Sequence, residues 1–282
     1  MMKTPSDSFI PPTVVSEDVN VCDPPRSAGR TPTACELCLF LADYCAHLLG
    51  CGATCLRLEK NLNRIAATYG HKVEITIMPR HIHLSIIGHD AEAVTSIASV
   101  KGCISFNINT LLSQLSWEIA DGKIDFDSAR DKMRYIVSHD PRNKWIELLL
   151  VAVANASFCR LFSGDPAAMA VVGLATMAGY YLKMLMLSYD IDLRVTVIVC
   201  AFVSTVLAAT DVLFSLGHTP LIAIGSSVLY LVPGIPFLNS FSDMLNRHYI
   251  CAFSRFVDAV VLTCCLSFGL CAGMMLMNVG MF

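Results

Sequence analysis

The charges of this chain are distributed so unevenly that its two halves cannot be the same kind of structure. Residues 1–140 carry 13 Lys/Arg and 16 Asp/Glu, whereas residues 141–282 carry 7 and 7 over an almost equal length. Ordinary soluble domains hold about 25% charged residues. The whole chain holds 15%, with 55% hydrophobic residues, and the deficit lies in its second half. A segment that apolar cannot cover itself with polar surface in water, so residues 141–282 are read as an α-helical membrane bundle that begins near Pro141.

A hydrocarbon core needs about 20 helical residues per crossing. Five stretches come close: Trp145 to Phe162, Pro166 to about Leu187, about Val195 to Leu216, Pro220 to Leu238, and about Ala252 to Met281. The last exceeds the need and is free to tilt. With the N-terminus in the cytoplasm, the inner helix ends carry Arg142, Lys144, Lys183, Arg194, Arg247 and Arg255, and the outer ends only Arg160. That bias predicts a cytoplasmic N-terminus and, after five spans, a C-terminus outside. The expected location is a bacterial-type inner membrane. Trp145, Tyr180, Tyr181 and Tyr249 are candidate interfacial anchors.

Ionisable residues at membrane depth are costly and each needs a reason. Glu147 and Arg255 lie near enough to the predicted cytoplasmic side to snorkel to the interface. Asp243 and Arg255 flank one short turn and can pair across it, and Arg255 and Asp258 are helix neighbours. Asp211 has no obvious partner nearby in sequence. The most informative stretch is Ser226–Asp243, SSVLYLVPGIPFLNSFSD. Pro233 and Pro236 remove backbone donors and Gly234 adds freedom, which predicts a broken helix. Transporters use such breaks at substrate sites. A half-helix beginning near Pro236 would present its free N–H groups to a carboxylate. Asn239 and Asp243 would share one face of it; a plain proline kink is the alternative.

The first half reads as a disordered segment, 1–30, rich in Pro, Ser and Asp, then a small cytoplasmic α+β domain over 31–140. Cys35 to Leu49 has helical apolar spacing and ends at Gly50 and Gly52; a second helix runs from about Thr54 to Tyr69. Strands are expected at Val73–Met78 and His81–Ile87 around a Pro79-Arg80 turn, with more extended chain near Val94–Ser105. Helices follow from about Ile108 to Ala120 and after Asp125. Cys35-x-x-Cys38 has zinc or redox spacing, but no second such pair follows, so small core residues are expected. His81 and His83 share a strand face, with His71 and His89 as conceivable neighbours, and cross-strand polar packing is expected there instead of a metal. No cofactor is expected.

Several classes are excluded or disfavoured. A net charge of −3 without a basic cluster gives no footprint for nucleic acid. Thirteen cysteines, scattered among apolar residues, do not make a secreted disulfide framework. The first residues lack a continuous apolar core, so no secretory leader is expected. The absence of GxSxG, Walker A and HExxH patterns leaves neither a hydrolase nor an ATP-driven pump identified, and no enzyme activity is expected.

Two motifs carry a resemblance. Leu231-Val232-Pro233-Gly234-Ile235-Pro236, then Asn239, Asp243 and Arg255, is similar to the LVPG-x-P…N…D…R pattern of the threonine/serine exporter family. Gly52-Ala53-Thr54-Cys55-Leu56-Arg57-Leu58-Glu59 resembles that family's GAE[TS]xRVE. Gly52, Ala53, Arg57 and Glu59 match, while Thr54 replaces an acidic residue and Cys55 a small hydroxyl residue. The resemblance covers about residues 33 to 279 and is closest to the shorter, split members. It implies a proton-motive-force-dependent exporter of small carboxylates, namely threonine, serine or a dicarboxylate such as succinate. It also implies a smaller membrane subunit supplying further spans. Pro233, Gly234, Pro236, Asn239, Asp243 and Arg255 become candidate substrate-path residues. A membrane-anchored enzyme acting through the first domain, hydrolase-like or metal-dependent, and a regulatory subunit are the competing readings.

Overall fold

A computed structural model of the chain describes residues 31–87, 93–100, 102, 104–139, 143–210 and 218–279. The expected disordered segment 1–30, His89, Asp211 and the proposed boundary at Pro141 lie outside the described residues. The fold is mostly helical with one small sheet. Its residues form two compact units, one drawn from Met1–Asp140 and Leu238–Arg255, the other from Pro141–Phe237 and Phe256–Phe282.

In the first unit, α1 (Ala34–Gly50) opens with a reciprocal cap: Thr33 accepts from the Glu36 N–H at 3.2 Å, and Glu36 accepts from the Thr33 N–H at 2.8 Å. Its buried stripe includes Leu37, Leu41, Tyr44, Cys45 and Leu48. The buried Tyr44 hydroxyl donates to the Leu112 carbonyl at 2.9 Å and accepts from Asn61 at 3.1 Å. A tight loop with Gly52 at φ +87° leads into α2 (Cys55–Thr68), capped by Thr54.

Three strands follow as an antiparallel meander: β1 (Lys72–Ile77), β2 (His81–Ile87) and β3 (Ala93–Ser99). Strand alternation puts Val73, Ile75 and Ile77 opposite Ile86, Leu84 and Ile82 on one face, which joins the core beneath α1. Glu74, Thr76, His81 and His83 fall on the other face, with Thr76 opposite His83. The extended chain expected to Ser105 ends sooner, because Ser105 is already the N-cap of α3 (Phe106–Ala120). α4 (Phe126–Ser138) begins after Asp125, which occupies the N-cap position without a side-chain cap bond.

The second unit is helical throughout its described residues. It comprises α5 (Lys144–Leu161), α6 (Pro166–Ser188), α7 (Leu193–Ala208), α8 (Pro220–Ser227) and a 3₁₀ turn at Leu229–Leu231. The start of α9 (Gly234–Leu245) and most of α10 (Tyr249–Leu276) complete it. α5 packs on α6, α6 on α7, and α8 against all three. α10 closes on α7 through Gly269 and Gly273, four residues apart. A Cβ at Gly269 would stand 2.3 Å from the Ile198 carbonyl oxygen, and one at Gly273 2.8 Å from Thr205. Small residues at this spacing let membrane helices approach backbone to backbone.

By length and composition, α6 and α10 are apolar enough to cross a membrane, and the bent pair Pro220–Leu231 and Gly234–Leu245 would be a third crossing. The expected five spans are not reached on that measure, for two physical reasons. α5 has 18 residues but includes Lys144, Glu147 and Arg160, and α7 is apolar but has only 16 residues. Large side chains of this unit, Leu149, Leu150, Phe158 and Leu174 among them, nevertheless point outward. Such a surface is suited to lipid and not to water.

Candidate functional site

The Gly52–Glu59 motif and Asn239, Asp243 and Arg255 of the second motif, far apart in the chain, meet inside the first unit. The loop Gly52–Cys55 has three backbone groups that the helices of α1 and α2 leave for other partners, and the segment 238–255 supplies side chains for each. Asn239 donates to the Gly52 carbonyl at 2.8 Å, and Arg255 donates through Nη2 to the Ala53 carbonyl at 2.8 Å. The Cys55 N–H, one of the orphan donors at the start of α2, donates to Asp243 Oδ1 at 2.9 Å. Arg255 Nη1 then reaches Asp243 Oδ2 at 2.7 Å. Each atom of the Asp243 carboxylate is engaged, as burial demands: its exposure is 0%.

Local structure explains the reach. Asn239 and Asp243 lie one helical turn apart on α9 and so face the loop together. The chain then reverses through Arg247, at φ +66°, with the His248 N–H on the Asp243 carbonyl at 2.9 Å. Ser240 donates across the hairpin to the Ala252 carbonyl at 2.7 Å. The reversal brings Arg255 of α10 beside Asp243.

The remaining motif residues are also bound. Thr54 accepts from the Arg57 N–H at 3.3 Å, so it performs the N-capping that an acidic residue there would perform. Arg57 donates to Asn109 at 3.0 Å, and Glu59 lies 3.4 Å from His248 Nε2. The Cys55 thiol is held well above the usual thiol range, first by the hydrogen bond it shares with Cys251, then by burial and by the Asp243 carboxylate. It is therefore a neutral group at ordinary pH and a poor nucleophile. Cys251 in turn contacts the Ile77 carbonyl at 3.4 Å.

The break falls where Pro233 and Pro236 put it. The helical run stops at Leu231, resumes at Gly234 and turns by 60°. The space beside Gly234 is open: a Cβ there would meet nothing within 4 Å. Elsewhere, Cys38 is a core residue whose thiol contacts the Val94 carbonyl at 3.5 Å and is pushed up to about 12 by burial and by Cys35. Among the described residues no group of three or more His, Cys, Asp or Glu side chains is placed to hold a metal.

Sequence reasoning missed two contributors. His248 was not singled out, nor was the polar face of α6. Tyr180, a half-buried residue of α6, donates to Glu147 at 2.7 Å. The signal was the spacing of Thr176, Tyr180 and Lys183, which places three polar groups on one helical face.

Apolar helices of spanning length are those of an integral membrane protein. The family profile described as "Putative threonine/serine exporter" matches residues 39–277, and the chain belongs to that family. It is 28% identical over 243 residues to the "Probable succinate transporter subunit YjjP" of Klebsiella aerogenes, covering 84% of this chain and 91% of that protein. It is 29% identical over 121 residues to the protein of the same name in Escherichia coli K12, covering 43% of this chain and 47% of that one. No solved structure matches the chain.

Proposed function

We propose that this chain is one subunit of a secondary transporter that exports small carboxylate metabolites, threonine, serine or a dicarboxylate such as succinate, across a bacterial-type inner membrane. The observation that carries the reading is the family match across residues 39–277 on a chain whose second half is apolar helix. The K. aerogenes relative bears the name of a probable succinate transporter subunit, which favours a dicarboxylate and a partner subunit; the family resemblance makes that partner a smaller membrane protein. In this reading residues 31–140 are cytoplasmic, five spans follow, and the C-terminus lies outside. The break at Pro233, Gly234 and Pro236 forms part of the substrate path. Asn239, Asp243 and Arg255, the side chains bound to the Gly52–Cys55 loop, are candidate substrate-path residues as well.

The test is efflux of labelled succinate, threonine and serine from loaded cells that make the chain with its partner subunit. Asp243→Asn is expected to abolish efflux while the variant still reaches the membrane. Undiminished efflux removes Asp243 from the mechanism. No efflux of any of the three from cells making the unaltered proteins overturns the reading itself.

A further inference from the structure

The second unit holds a seam of polar side chains that its apolar helices would not carry for packing alone. At one level Asn155 of α5 donates to Thr176 Oγ1 at 2.9 Å and to the Ser226 carbonyl at 3.3 Å. At the next, Ser204 of α7 and Tyr230 share a hydroxyl–hydroxyl bond of 3.0 Å. Tyr180 meets the Tyr230 ring edge-on at 6.0 Å, and its own hydroxyl donates to Glu147. Gly179 makes room for this level, since a Cβ there would stand 2.1 Å from both the Ser204 and the Tyr230 hydroxyl oxygens. The seam ends at Lys183, one turn further along α6, whose ammonium lies 5.6 Å from the centre of the Tyr180 ring.

Lys183 is the odd member. Among the described residues no hydrogen bond or ion pair engages its ammonium, although the Glu147 carboxylate acts on it electrostatically. A lysine on an apolar helix that faces its neighbours, with a carboxylate held off by a tyrosine, is a cation kept available. The Ser204 and Tyr230 hydroxyls, packed beside Gly179 one turn before Lys183 on α6, can donate as well as accept. Tyr230 stands three residues before Pro233, so this group of donors lies at the mouth of the helix break. The charge, the donors and the position suit one ligand chemistry, a small carboxylate.

We infer that Lys183, with the hydroxyls of Tyr230 and Ser204, is the carboxylate-binding site of the helical unit. Glu147 serves as the resting counter-charge of the lysine. This site rests on the carboxylate-export reading above and gives that reading its recognition residues, none of which the sequence motifs include. Tyr180 and Glu147 position the ammonium, and the Ser204–Tyr230 pair orients the second oxygen.

The test uses the full chain with its partner in reconstituted vesicles and compares succinate with succinamide, which keeps the shape and loses the charges. Lys183→Met is expected to raise the KM for succinate about 30-fold or more, as loss of one member of a buried charge contact does, and to remove the preference over succinamide. Glu147→Gln combined with Lys183→Met removes both charges, which protects folding, and is expected to show the same loss of preference. If either variant reaches the membrane and keeps its succinate KM within about threefold of the unaltered protein, the site is wrong while the export reading stands. If the unaltered protein neither binds nor moves succinate, threonine or serine, both fall together.

Discussion

Asp243 and Arg255, twelve residues apart across the hairpin between α9 and α10, form an ion pair at 2.7 Å with the carboxylate fully buried. A pair of this kind owes its worth to being complete. Removing one partner of a buried pair costs about 3–5 kcal/mol because the other charge is stranded, whereas removing both is far milder. Arg255→Met is therefore expected to lower the stability of the purified protein by about that amount. Asp243→Asn with Arg255→Met should recover most of it, since Asn Oδ1 can still accept from the Cys55 N–H. Thermal denaturation of the two single variants and the double variant checks this. Additive losses would mean that the pair is not coupled.

The loop that this pair grips depends on Gly52. Its φ of +87° is a conformation that L side chains rarely adopt, and a Cβ there would stand 3.3 Å from Ile104 Cγ2. Gly52→Ala is expected to cost about 1–2 kcal/mol from the backbone alone. Ile104→Ala added to it should relieve only the contact. Melting temperatures of the two variants against Ile104→Ala alone measure the difference. A Gly52→Ala protein as stable as the unaltered one would show that the loop is not held in this form.

How far the sequence reached differs between the two kinds of helix. In α2, polar and apolar positions recur with a clear helical period, α1 is a long apolar run opened by a Thr-x-x-Glu cap, and Gly50, Gly52 and Gly70 mark the ends, so both helices were legible. The pairing of Asp243 with Arg255 was legible too, because only one turn separates the helices that carry them. The bond from the Cys55 N–H to Asp243 was not, since 188 residues intervene and no periodicity links them. On α5 and α6 most positions around the helix are apolar, so only a few polar groups, such as Thr176, Tyr180 and Lys183 on α6, mark the bundle face. The bond from Tyr180 to Glu147, across 33 residues, has no signature in that pattern. The break at Pro233 and Pro236 was legible as chemistry, but its bend angle depends on packing that the sequence does not display.

The closeness of α10 to α7 rests on Gly269. A side chain there must displace the Ile198 carbonyl or Ala201 Cβ, 2.3 and 2.8 Å from its Cβ, and backbone does not yield as a flexible side chain does. Gly269→Val is expected to destabilise the detergent-solubilised protein by about 1–3 kcal/mol, the usual range for overpacking. Gly225 of α8 is the control, because a Cβ there meets nothing within 4 Å. Gly225→Ala should be neutral, or stabilise by up to about 1 kcal/mol through helix propensity. Equal effects at the two positions, followed by thermal unfolding, would contradict the close helix contact.

Asp165 ties the start of α6 to the chain before α8. Its carboxylate accepts from the His218 N–H at 2.6 Å and the Ala168 N–H at 2.7 Å, and its own N–H donates to Thr219 at 3.0 Å. The His218 bond first, then the Ala168 bond, hold its carboxyl below the usual aspartate range. A carboxyl depressed by folding contributes stability that is present above its unfolded value of about 3.9 and is lost as pH falls through the lower folded value. The melting-temperature gap between the unaltered protein and Asp165→Asn should therefore be constant from neutral pH down to about 5 and shrink below about 4. The measurement is thermal unfolding of both proteins in the same detergent at a series of pH values. A gap that persists undiminished well below pH 4 would mean that the ionised carboxylate is not what holds the two segments together.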